Sequence, residues 1–280
     1  MLIAPLGSGS AGNSYFFESD DTRILIDAGF GPRETEKRLR SVERSLEHVR
    51  AILITHEHYD HIRGAAAIAR KFAIPIYLSE GTLGASRIDR QELPVVVFEN
   101  NTSFRIGDLL IHARKTVHDA ADPSCFVVEA VDGTRAGLAS DLGCVDQPVL
   151  RHLTNCDALL FESNHDLDML RMGTYPWGLK RRIMSRYGHL SNDDSMAALL
   201  RMIGAESKMI YLIHLSEKNN HESIVRAMAD AVVTTTGAQL DLLIASQREP
   251  MPMLEVARRF RPPRPAHRPR PPAPGQMSLF

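Results

Sequence analysis

Four side chains that commonly bind metal ions lie within six residues of the chain: His56, His58, Asp60 and His61. They follow an apolar run at residues 51–54 and precede a predicted helix. In an extended loop, His56 and His58 project to the same side. Asp60 and His61, at the turn into the helix, can face a second point a few ångströms away. This spacing favours two metal ions over one. The alternative, a solvated loop rich in histidine, would leave imidazoles and a carboxylate as costly neighbours at the end of a buried strand.

A histidine far along the chain is a candidate for proton transfer. His189 precedes residues 191–194, where Asp194 occupies the third helical position of a capped helix start. A histidine beside a helix N-terminus can contact a phosphate, protonate a leaving alkoxide or stabilise the charge on a pentavalent phosphorus. The alternative is a turn histidine whose ring hydrogen bonds with the backbone. We interpret His189 as catalytic, together with Asp60.

The elements that position these residues alternate between strand and helix patterns, after an opening of three short strands. Strands are predicted at residues 1–6, 14–18, 22–27, 51–54, 75–78, 104–106, 109–113, 125–130, 136–139, 158–161 and 209–213. Helices are predicted at residues 32–42 and 62–71, and from residues 192 and 222 onwards. This order predicts an α/β fold in which mixed sheets are sandwiched by helices. The halves before and after about residue 105 look loosely alike.

Composition excludes several classes of protein. The chain has 280 residues, 44% of them hydrophobic, which is enough for a sizeable core. The sequence contains no run of eighteen apolar residues, the length needed to span a membrane. The first apolar stretch reaches Gly7 and Ser8 too early for a secretory signal. None of the three cysteines forms a C-x-x-C pair, so neither a disulfide framework nor a cysteine zinc site is expected. We therefore expect a cytoplasmic protein that does not contact membranes.

Charge and proline divide the chain. Its net charge is −1, and subtracting the six arginines between residues 258 and 270 leaves −7 for the rest. Seven of the sixteen prolines lie between residues 262 and 274, a composition typical of polyproline II and unable to build a core. We expect a folded domain at residues 1–257, a disordered Arg/Pro-rich linker at 258–275 and a short peptide at 276–280.

The pattern His56-x-His58-x-Asp60-His61 resembles the signature of the metallo-β-lactamase-fold hydrolases. The resemblance covers about residues 1–245 and implies an αβ/βα sandwich, in which two mixed sheets are flanked by helices. It also implies four further site residues: Asp27, His118, Asp141 and His214. Asp27 would brace the histidine loop, and Asp141 would bridge two ions.

The resemblance implies how these ligands divide between two divalent ions. One ion would be held by His56, His58 and His118. The other would be held by Asp60, His61 and His214, with Asp141 and a hydroxide between the two ions. Such a site clamps a phosphodiester and supplies a nucleophile near neutral pH. Nitrogen and oxygen ligands suit both zinc and manganese, and the choice between these metals stays open.

Four further stretches resemble the YycJ (WalJ) branch of this superfamily: residues 8–14, 162–166, 188–192 and 214–220. Members of that branch are regarded as exonucleases that degrade double-stranded DNA from 5′ to 3′, so the resemblance implies a nuclease of DNA repair or replication. A hydrolase of thioesters or lactams and an RNA nuclease are alternatives with the same ligands, and a metal-free binding scaffold is a third. The insert at residues 175–189, with its basic helix, favours a nucleic acid over a small molecule.

Polar residues around these motifs are candidate substrate contacts. The candidates are Ser8, Ser10, Asn13, Lys180, Arg181, Arg182, Ser216 and Asn219. The first three lie in a Gly/Ser loop that could bind a terminal phosphate, although a tight hairpin needs the same glycines. The three basic residues could receive a polyanion, although such runs are usually solvated faces. The last two could contact substrate or cap a loop. Tyr175 and Trp177 could stack a base, but a core or hinge position is their more ordinary use.

The last five residues carry a second resemblance. Gln276, Leu279 and Phe280 lie in a Gln-x-Ser-Leu-Phe sequence that resembles the pentapeptide by which bacterial replication and repair enzymes bind the β sliding clamp. The two apolar side chains would fill a pocket, and the glutamine would make a polar contact. The alternative is an accidental hydrophobic terminus. The resemblance therefore predicts the clamp as a protein partner, beside nucleic acid as substrate.

Overall fold

The computed structural model describes residues 1–256 of the chain. The strands in this part are β1 (Leu2–Gly7), β2 (Ser14–Glu18), β3 (Arg23–Ile26), β4 (Ala51–Leu53), β5 (Ile76–Ser79), β6 (Val95–Phe98), β7 (Ser103–Ile106), β8 (Leu109–Lys115), β9 (Ser124–Glu129), β10 (Arg135–Ala139), β11 (Ala158–Glu162), β12 (Met209–Ile213), β13 (Asp241–Ile244) and β14 (Leu254–Glu255). The helices are α1 (Pro32–Ser41), α2 (Tyr59–Ile62), α3 (Ala65–Phe72), α4 (Glu80–Ala85), α5 (Gln147–Leu153), α6 (Leu167–Met172), α7 (Trp177–Ile183), α8 (Asn192–Met202) and α9 (Glu222–Thr236), with a 3-10 turn at Leu46–His48.

The strands form two seven-stranded sheets with the same pairing pattern. The order is β14-β1-β2-β3-β4-β5-β6 in the first sheet and β7-β8-β9-β10-β11-β12-β13 in the second. In each sheet, three antiparallel pairs are followed by three parallel pairs. The two expected mixed sheets are therefore confirmed, and this shared pattern accounts for the loose likeness of the two halves.

The sheets are buried on both faces, which explains why most strands read as continuous apolar runs. In β2, Tyr15 and Phe17 point into the core between the two sheets, while Phe16 points to the helices that cover the first sheet. In β12, Tyr211 faces the core between the sheets, and Leu212 faces the helices over the second sheet. The alternation follows from the two-residue period of a strand. The result is the expected order of layers, helix, sheet, sheet and helix.

The helix predicted at residues 62–71 is divided into two parts, α2 and α3. Gly64 lies between them and donates its N–H to the carbonyl of Ala28 at 2.8 Å. A Cβ at Gly64 would lie 1.8 Å from the carbonyl oxygen of Phe30, so only glycine allows this close approach. The interruption matters for the site, because α2 carries Asp60 and His61 on a single short turn.

Several short elements were not predicted, among them α4, α5 and the edge strands β6, β13 and β14. An edge strand has one neighbour only, so its sequence carries a weaker pattern. The pairing of β14 with β1 joins Leu254 to Ile3, a contact that no local signal could reveal. The predicted linker at 258–275 and the peptide at 276–280 lie outside the described residues. Within residues 1–256, every helix is too short or too polar to cross a bilayer.

Candidate metal centre

The site is built at the carboxyl ends of strands from both sheets. Asp27, Asp141 and His214 follow β3, β10 and β12, and their φ angles are 62°, 56° and 56°. This left-handed conformation costs a residue other than glycine roughly 1–2 kcal/mol. Hydrogen bonds hold two of them in place: the N–H of Asp27 donates to the carbonyl of Leu53, and that of His214 donates to Ser8 Oγ, both at 2.8 Å. Such turns let each side chain leave its strand toward one shared point.

One cluster consists of His56, His58 and His118, whose ligand atoms lie within 4.8 Å of one another. His56 follows β4, His58 directly precedes the first residue of α2, and His118 follows β8. The Nδ1 atom of His118 donates to the carbonyl of Gly188 at 2.9 Å, which leaves the lone pair on Nε2. Within the described part of the chain, the buried Nε2 atoms of His56 and His118 have no hydrogen-bond partner.

A second cluster consists of Asp60, His61 and His214, whose ligand atoms also lie within 4.8 Å of one another. The fully buried carboxylate of Asp27 accepts a hydrogen bond from His61 Nδ1 at 2.7 Å and from the Thr55 N–H at 2.8 Å. Asp27 therefore fixes the ring of His61 and ties it to the end of β4. The Nε2 atom of His214 is buried without a hydrogen bond from any described residue.

The carboxylate of Asp141 lies between the two clusters. Its Oδ2 is 3.1 Å from His61 Nε2, and its Oδ1 is 3.7 Å from His118 Nε2. It forms one compact group with His56 and His61 and another with Glu162, His189 and His214. A carboxylate in this position can bridge two cations.

Glu162, at the end of β11, is a site residue to which the sequence analysis gave no role. Its Oε1 lies 2.9 Å from Nδ1 of His189 and 2.9 Å from Nδ1 of His214. Its Oε2 accepts the N–H of Leu142 at 2.6 Å, and the side chain has no exposed surface. A signal was present, because Glu162 follows an apolar run, as Asp141 and His214 do.

Burial and charge shift the pKa values of the histidines in opposite directions. Burial, together with the nearby His61, holds the pKa of His56 well below its usual value. Burial also lowers the pKa of His118. Burial alone would lower the pKa of His61, but the carboxylates of Asp141 and Asp27 outweigh it and raise that pKa well above the usual value. Neutral imidazole is the form that binds metal, so His56 and His118 need no proton removed.

The buried carboxylates are held ionised. Burial would raise the pKa of Glu162, but His189 and His214 lower it to about 2. The pKa of Asp141 is well below its usual range, because His214 and His61 outweigh its burial. The pKa of His214 reaches about 10, because Asp141 and other carboxylates outweigh burial. The site therefore combines buried negative charge, histidine nitrogen atoms without hydrogen bonds from the described residues, and donors that are all nitrogen or oxygen. These features fit divalent metal ions.

A cavity of about 230 Å³ opens over the clusters. Residues of the site that line it are His58, Asp60, Asp119, Asp141, His189 and His214, and other lining residues are Ser10, Asn164, Tyr175, Leu179, Arg182, Ile183, Gly188 and Ser216. Three of the eight predicted substrate contacts, Ser10, Arg182 and Ser216, therefore face this space.

The other five predicted contacts have different surroundings. Ser8 is buried, and its hydroxyl oxygen accepts a hydrogen bond from the His214 N–H and shares another with the Tyr15 hydroxyl. Asn13 is fully buried, and its amide Nδ2 lies 2.9 Å from His61 Nε2 and 3.1 Å from Asp60 Oδ2. Asn219 is 2% exposed, and its N–H and its side-chain Nδ2 both donate to Ser216 Oγ. These three side chains support the site instead of facing the cavity.

The basic residues of α7 are also separated. The Lys180 ammonium donates to the carbonyls of Arg171 and Gly173, both at 2.6 Å, and only 7% of the residue is exposed. Lys180 therefore joins α6 to α7, because a buried ammonium needs such partners. Arg181 is exposed but does not line the cavity. Trp177 is 58% exposed, so the core position considered for it is wrong.

Known proteins are similar to this chain in sequence and in fold. A model of the Beta-lactamase superfamily domain matches residues 22–215. Exodeoxyribonuclease YycJ of Bacillus anthracis is 36% identical over 240 residues, which are 85% of this chain and 90% of that protein. Exodeoxyribonuclease WalJ of Streptococcus pneumoniae serotype 2 is 37% identical over 244 residues, 85% of this chain and 88% of that protein. The crystal structure of Zn²⁺-bound PqqB from Methylobacterium extorquens has the same fold, with 18% identity, a TM-score of 0.68, and coverage of 90% and 99%.

Proposed function

This chain belongs to the β-lactamase superfamily and to the family of the YycJ and WalJ exodeoxyribonucleases, and we propose that it is a dinuclear metal-dependent phosphodiesterase that degrades double-stranded DNA from 5′ to 3′ in repair or replication. The observation that carries the proposal is the position of Asp141. Its carboxylate lies between two compact clusters, each with at least two histidines, at the bottom of an open cavity. The names of the two relatives support DNA as the substrate.

The proposed metal ligands are those that the sequence analysis named. One divalent ion would be held by His56, His58 and His118. The other would be held by Asp60, His61 and His214, and Asp141 would contact both ions. Zinc and manganese suit this set of donors equally. When bound, the ions would supply a hydroxide near neutral pH and neutralise charge on the phosphodiester.

The chain's own residues orient these groups and move a proton. Asp27 fixes the His61 ring through Nδ1, and Glu162 fixes the rings of His189 and His214. The protonated Nδ1 of His189 donates a hydrogen bond to the Glu162 carboxylate, and this ionised partner allows Nε2 to carry a second proton. His189 lines the cavity. We assign to this Nε2 the proton transfer to the leaving oxygen, a role typical of histidine as a general acid.

Substrate contacts follow from the lining of the cavity. Ser10, Ser216 and Arg182 are assigned to direct contacts with phosphate groups. Ser8, Asn13, Asn219 and Lys180 are assigned to supporting roles, because they do not line the cavity and bond within the protein. Arg181 is assigned to a contact with DNA outside the cavity.

The proposal is tested with the purified protein in zinc or manganese. The substrates are end-labelled double-stranded DNA, single-stranded DNA and RNA, each with a 5′ phosphate or a 5′ hydroxyl. We expect shortening of the duplex from its 5′ end and its loss in chelator. Asp60→Ala should abolish hydrolysis, while Asp20→Ala, an exposed aspartate in the β2–β3 turn, should not. Full activity in chelator or in the Asp60 variant would contradict metal-dependent hydrolysis, and cleavage of RNA alone would favour the ribonuclease.

We also propose that Gln276, Leu279 and Phe280 bind the β sliding clamp, which would keep the nuclease near DNA. The support is the resemblance of the sequence, and these residues lie outside the described part of the chain. The full chain should bind purified clamp with a dissociation constant in the micromolar range, about −8 kcal/mol. The double variant Leu279→Ala, Phe280→Ala should lose this binding and keep its activity on free DNA. Equal affinity in the double variant would overturn the assignment. Both partners agree with the cytoplasmic location predicted from the sequence.

A further inference from the structure

Large apolar side chains are exposed along one segment of the chain, part of which lines the cavity. Of the nine large hydrophobic residues that are exposed in the described part of the chain, four lie in the short segment from α6 to the end of α7 and just beyond. They are Met172 at 87% exposed, Trp177 at 58%, Leu179 at 36% and Tyr187 at 58%. Single exposed apolar residues are ordinary, but a group of them marks an interaction surface. We call Tyr175, Trp177 and Leu179 the aromatic rim.

The aromatic rim continues the surface of the metal centre. Tyr175 and Leu179 line the same cavity as Asp141 and His189. Trp177 lies between Tyr175 and Leu179 in sequence, at the first position of α7. Trp177 itself does not line the cavity, and its exposed side chain lies two residues from the lining residue Tyr175.

The rim is held rigidly relative to the metal ligands. Lys180 ties α7 to the end of α6 by two hydrogen bonds of 2.6 Å. The N–H of His189 donates to the carbonyl of Ile183 at 2.9 Å, which connects the end of α7 to the proposed acid. His118 Nδ1 donates to the carbonyl of Gly188, which connects the segment after α7 to a proposed metal ligand. A backbone fixed in this way needs little rearrangement when a ligand binds, which favours a recognition surface.

Positive charge is interleaved with the aromatic side chains. The Lys218 ammonium lies 5.4 Å from the centre of the Tyr175 ring. Arg181 is exposed one turn after Trp177, on the same face of α7. Arg182 lies in the cavity and pairs with Asp119 at 2.6 Å. Flat rings beside cations are the features with which proteins bind single-stranded nucleic acid, because rings stack on bases and cations neutralise phosphates.

We propose that the aromatic rim stacks unpaired bases at the end of the DNA, with Trp177 as the outer platform, so that the strand reaches the metal centre only where the duplex has opened. This inference rests on the proposed function, because it names the form of DNA that the site accepts. A base inside a duplex shows only its edges to the solvent, whereas an unpaired base offers a whole face for stacking. The rim therefore predicts a preference for ends with unpaired nucleotides over blunt ends.

Trp177 allows a direct test because it is the only tryptophan in the sequence. The probe is a 5′-phosphorylated duplex with a short single-stranded 5′ end, whose terminal linkages are phosphorothioates that slow hydrolysis. Binding to the metal-loaded protein is followed in two ways, by the anisotropy of a label on the far end of the duplex and by the fluorescence of Trp177. We expect saturable quenching of Trp177 that parallels the rise in anisotropy.

The variants and a second probe isolate stacking from charge. Trp177→Ala should weaken binding roughly 5- to 150-fold, the equivalent of 1–3 kcal/mol per stacked base, and Trp177→Phe should restore most of it. Leu200→Ala, an exposed apolar residue of α8 outside the cavity lining, is the matched control and should not change binding. A probe with abasic sites in the single-stranded end keeps every phosphate, and Trp177→Ala should not weaken its binding further.

Three outcomes would overturn parts of the argument in distinguishable ways. DNA that binds without quenching Trp177, and equally well in Trp177→Ala, would overturn this inference alone and leave the surface to a protein partner. An equal loss of affinity for the normal and abasic probes in Trp177→Ala would also overturn it, since the effect would not depend on bases. A protein that binds no DNA by anisotropy would overturn the proposed function and the inference with it.

Discussion

The carboxylate of Glu162 accepts a hydrogen bond from Nδ1 of His189 at 2.9 Å. The same Oε1 atom lies 2.9 Å from Nδ1 of His214, so one buried carboxylate orients the proposed acid and a proposed metal ligand together. Because the pKa of Glu162 is lowered to about 2, mainly by these two histidines against its burial, it stays ionised across the useful pH range. The relationship links metal binding and proton transfer through a single side chain.

His189→Ala should slow the reaction without removing a metal ion. Loss of a general acid typically reduces turnover by roughly 10²–10⁴-fold. Metal content measured by mass spectrometry should equal that of the wild type, because His189 is proposed to act on the leaving oxygen. His48→Ala, an exposed histidine outside the cavity lining, serves as the control and should be fully active. Loss of one ion per protein in the His189 variant would place this residue among the ligands instead.

Glu162→Gln should move the alkaline limb of the pH–rate profile to lower pH. Burial would lower the pKa of His189, but the Glu162 carboxylate outweighs it and raises that pKa. A neutral amide removes this support, so His189 loses its proton at a lower pH and acid catalysis fails earlier. The profile of kcat/KM against pH measures the shift. An unchanged alkaline limb, at unchanged metal content, would show that another group supplies the proton.

The sequence predicted the histidine loop because its ligands are close together along the chain. His56, His58, Asp60 and His61 lie within six residues, and the strand before them is apolar. Family resemblance was needed for Asp27 and the later ligands, since residues brought together by sheet pairing leave no local spacing. Most strands were also predicted from a local signal, because strands buried on both faces are continuous apolar runs.

Side-chain partners could not be predicted from residue type. Lys180 and Arg182 lie in one basic run, yet the first binds two backbone carbonyls and the second lines the cavity. The difference depends on which face of α7 each residue occupies and on where α6 ends. Trp177 illustrates the opposite case, because a core or hinge position was considered more ordinary for it and the structure exposes it. Composition identifies the helix as basic and aromatic, but only tertiary packing decides which side chains reach substrate.

His152 should make the protein less stable below pH 6.5. Burial and the charge of Arg114 lower its pKa from 6.5 to about 4, and its Nε2 donates to the carbonyl of His112 at 3.1 Å. Between these pH values the unfolded chain binds a proton that the folded protein does not, so stability is lost as the pH falls. His152→Gln keeps a donor but does not titrate. Its stability in urea relative to the wild type should therefore rise by about 1–2 kcal/mol from pH 7 to pH 5. A constant difference between the two proteins over this range would refute the assignment.

Gly143→Ala should weaken both the fold and the first metal cluster. The N–H of Gly143 donates to the carbonyl of Val117, beside His118, and a Cβ at Gly143 would lie 1.9 Å from the carbonyl oxygen of Arg186. The backbone at Arg186 must then move. Gly188, two residues later, supplies the carbonyl that orients His118, so this ring should lose its fixed position.

We expect Gly143→Ala to cost about 1–3 kcal/mol of unfolding free energy, as is usual for overpacking, and to lower metal affinity as well. Gly84→Ala is the matched control, because a Cβ there meets no atom within 4 Å and α4 does not line the cavity. At such a site alanine typically stabilises by about 0.4–1 kcal/mol. Urea unfolding and titration with zinc or manganese measure the two effects separately. A Gly143 variant that loses stability but binds metal as tightly as the wild type would show that the carbonyl of Gly188 does not position His118.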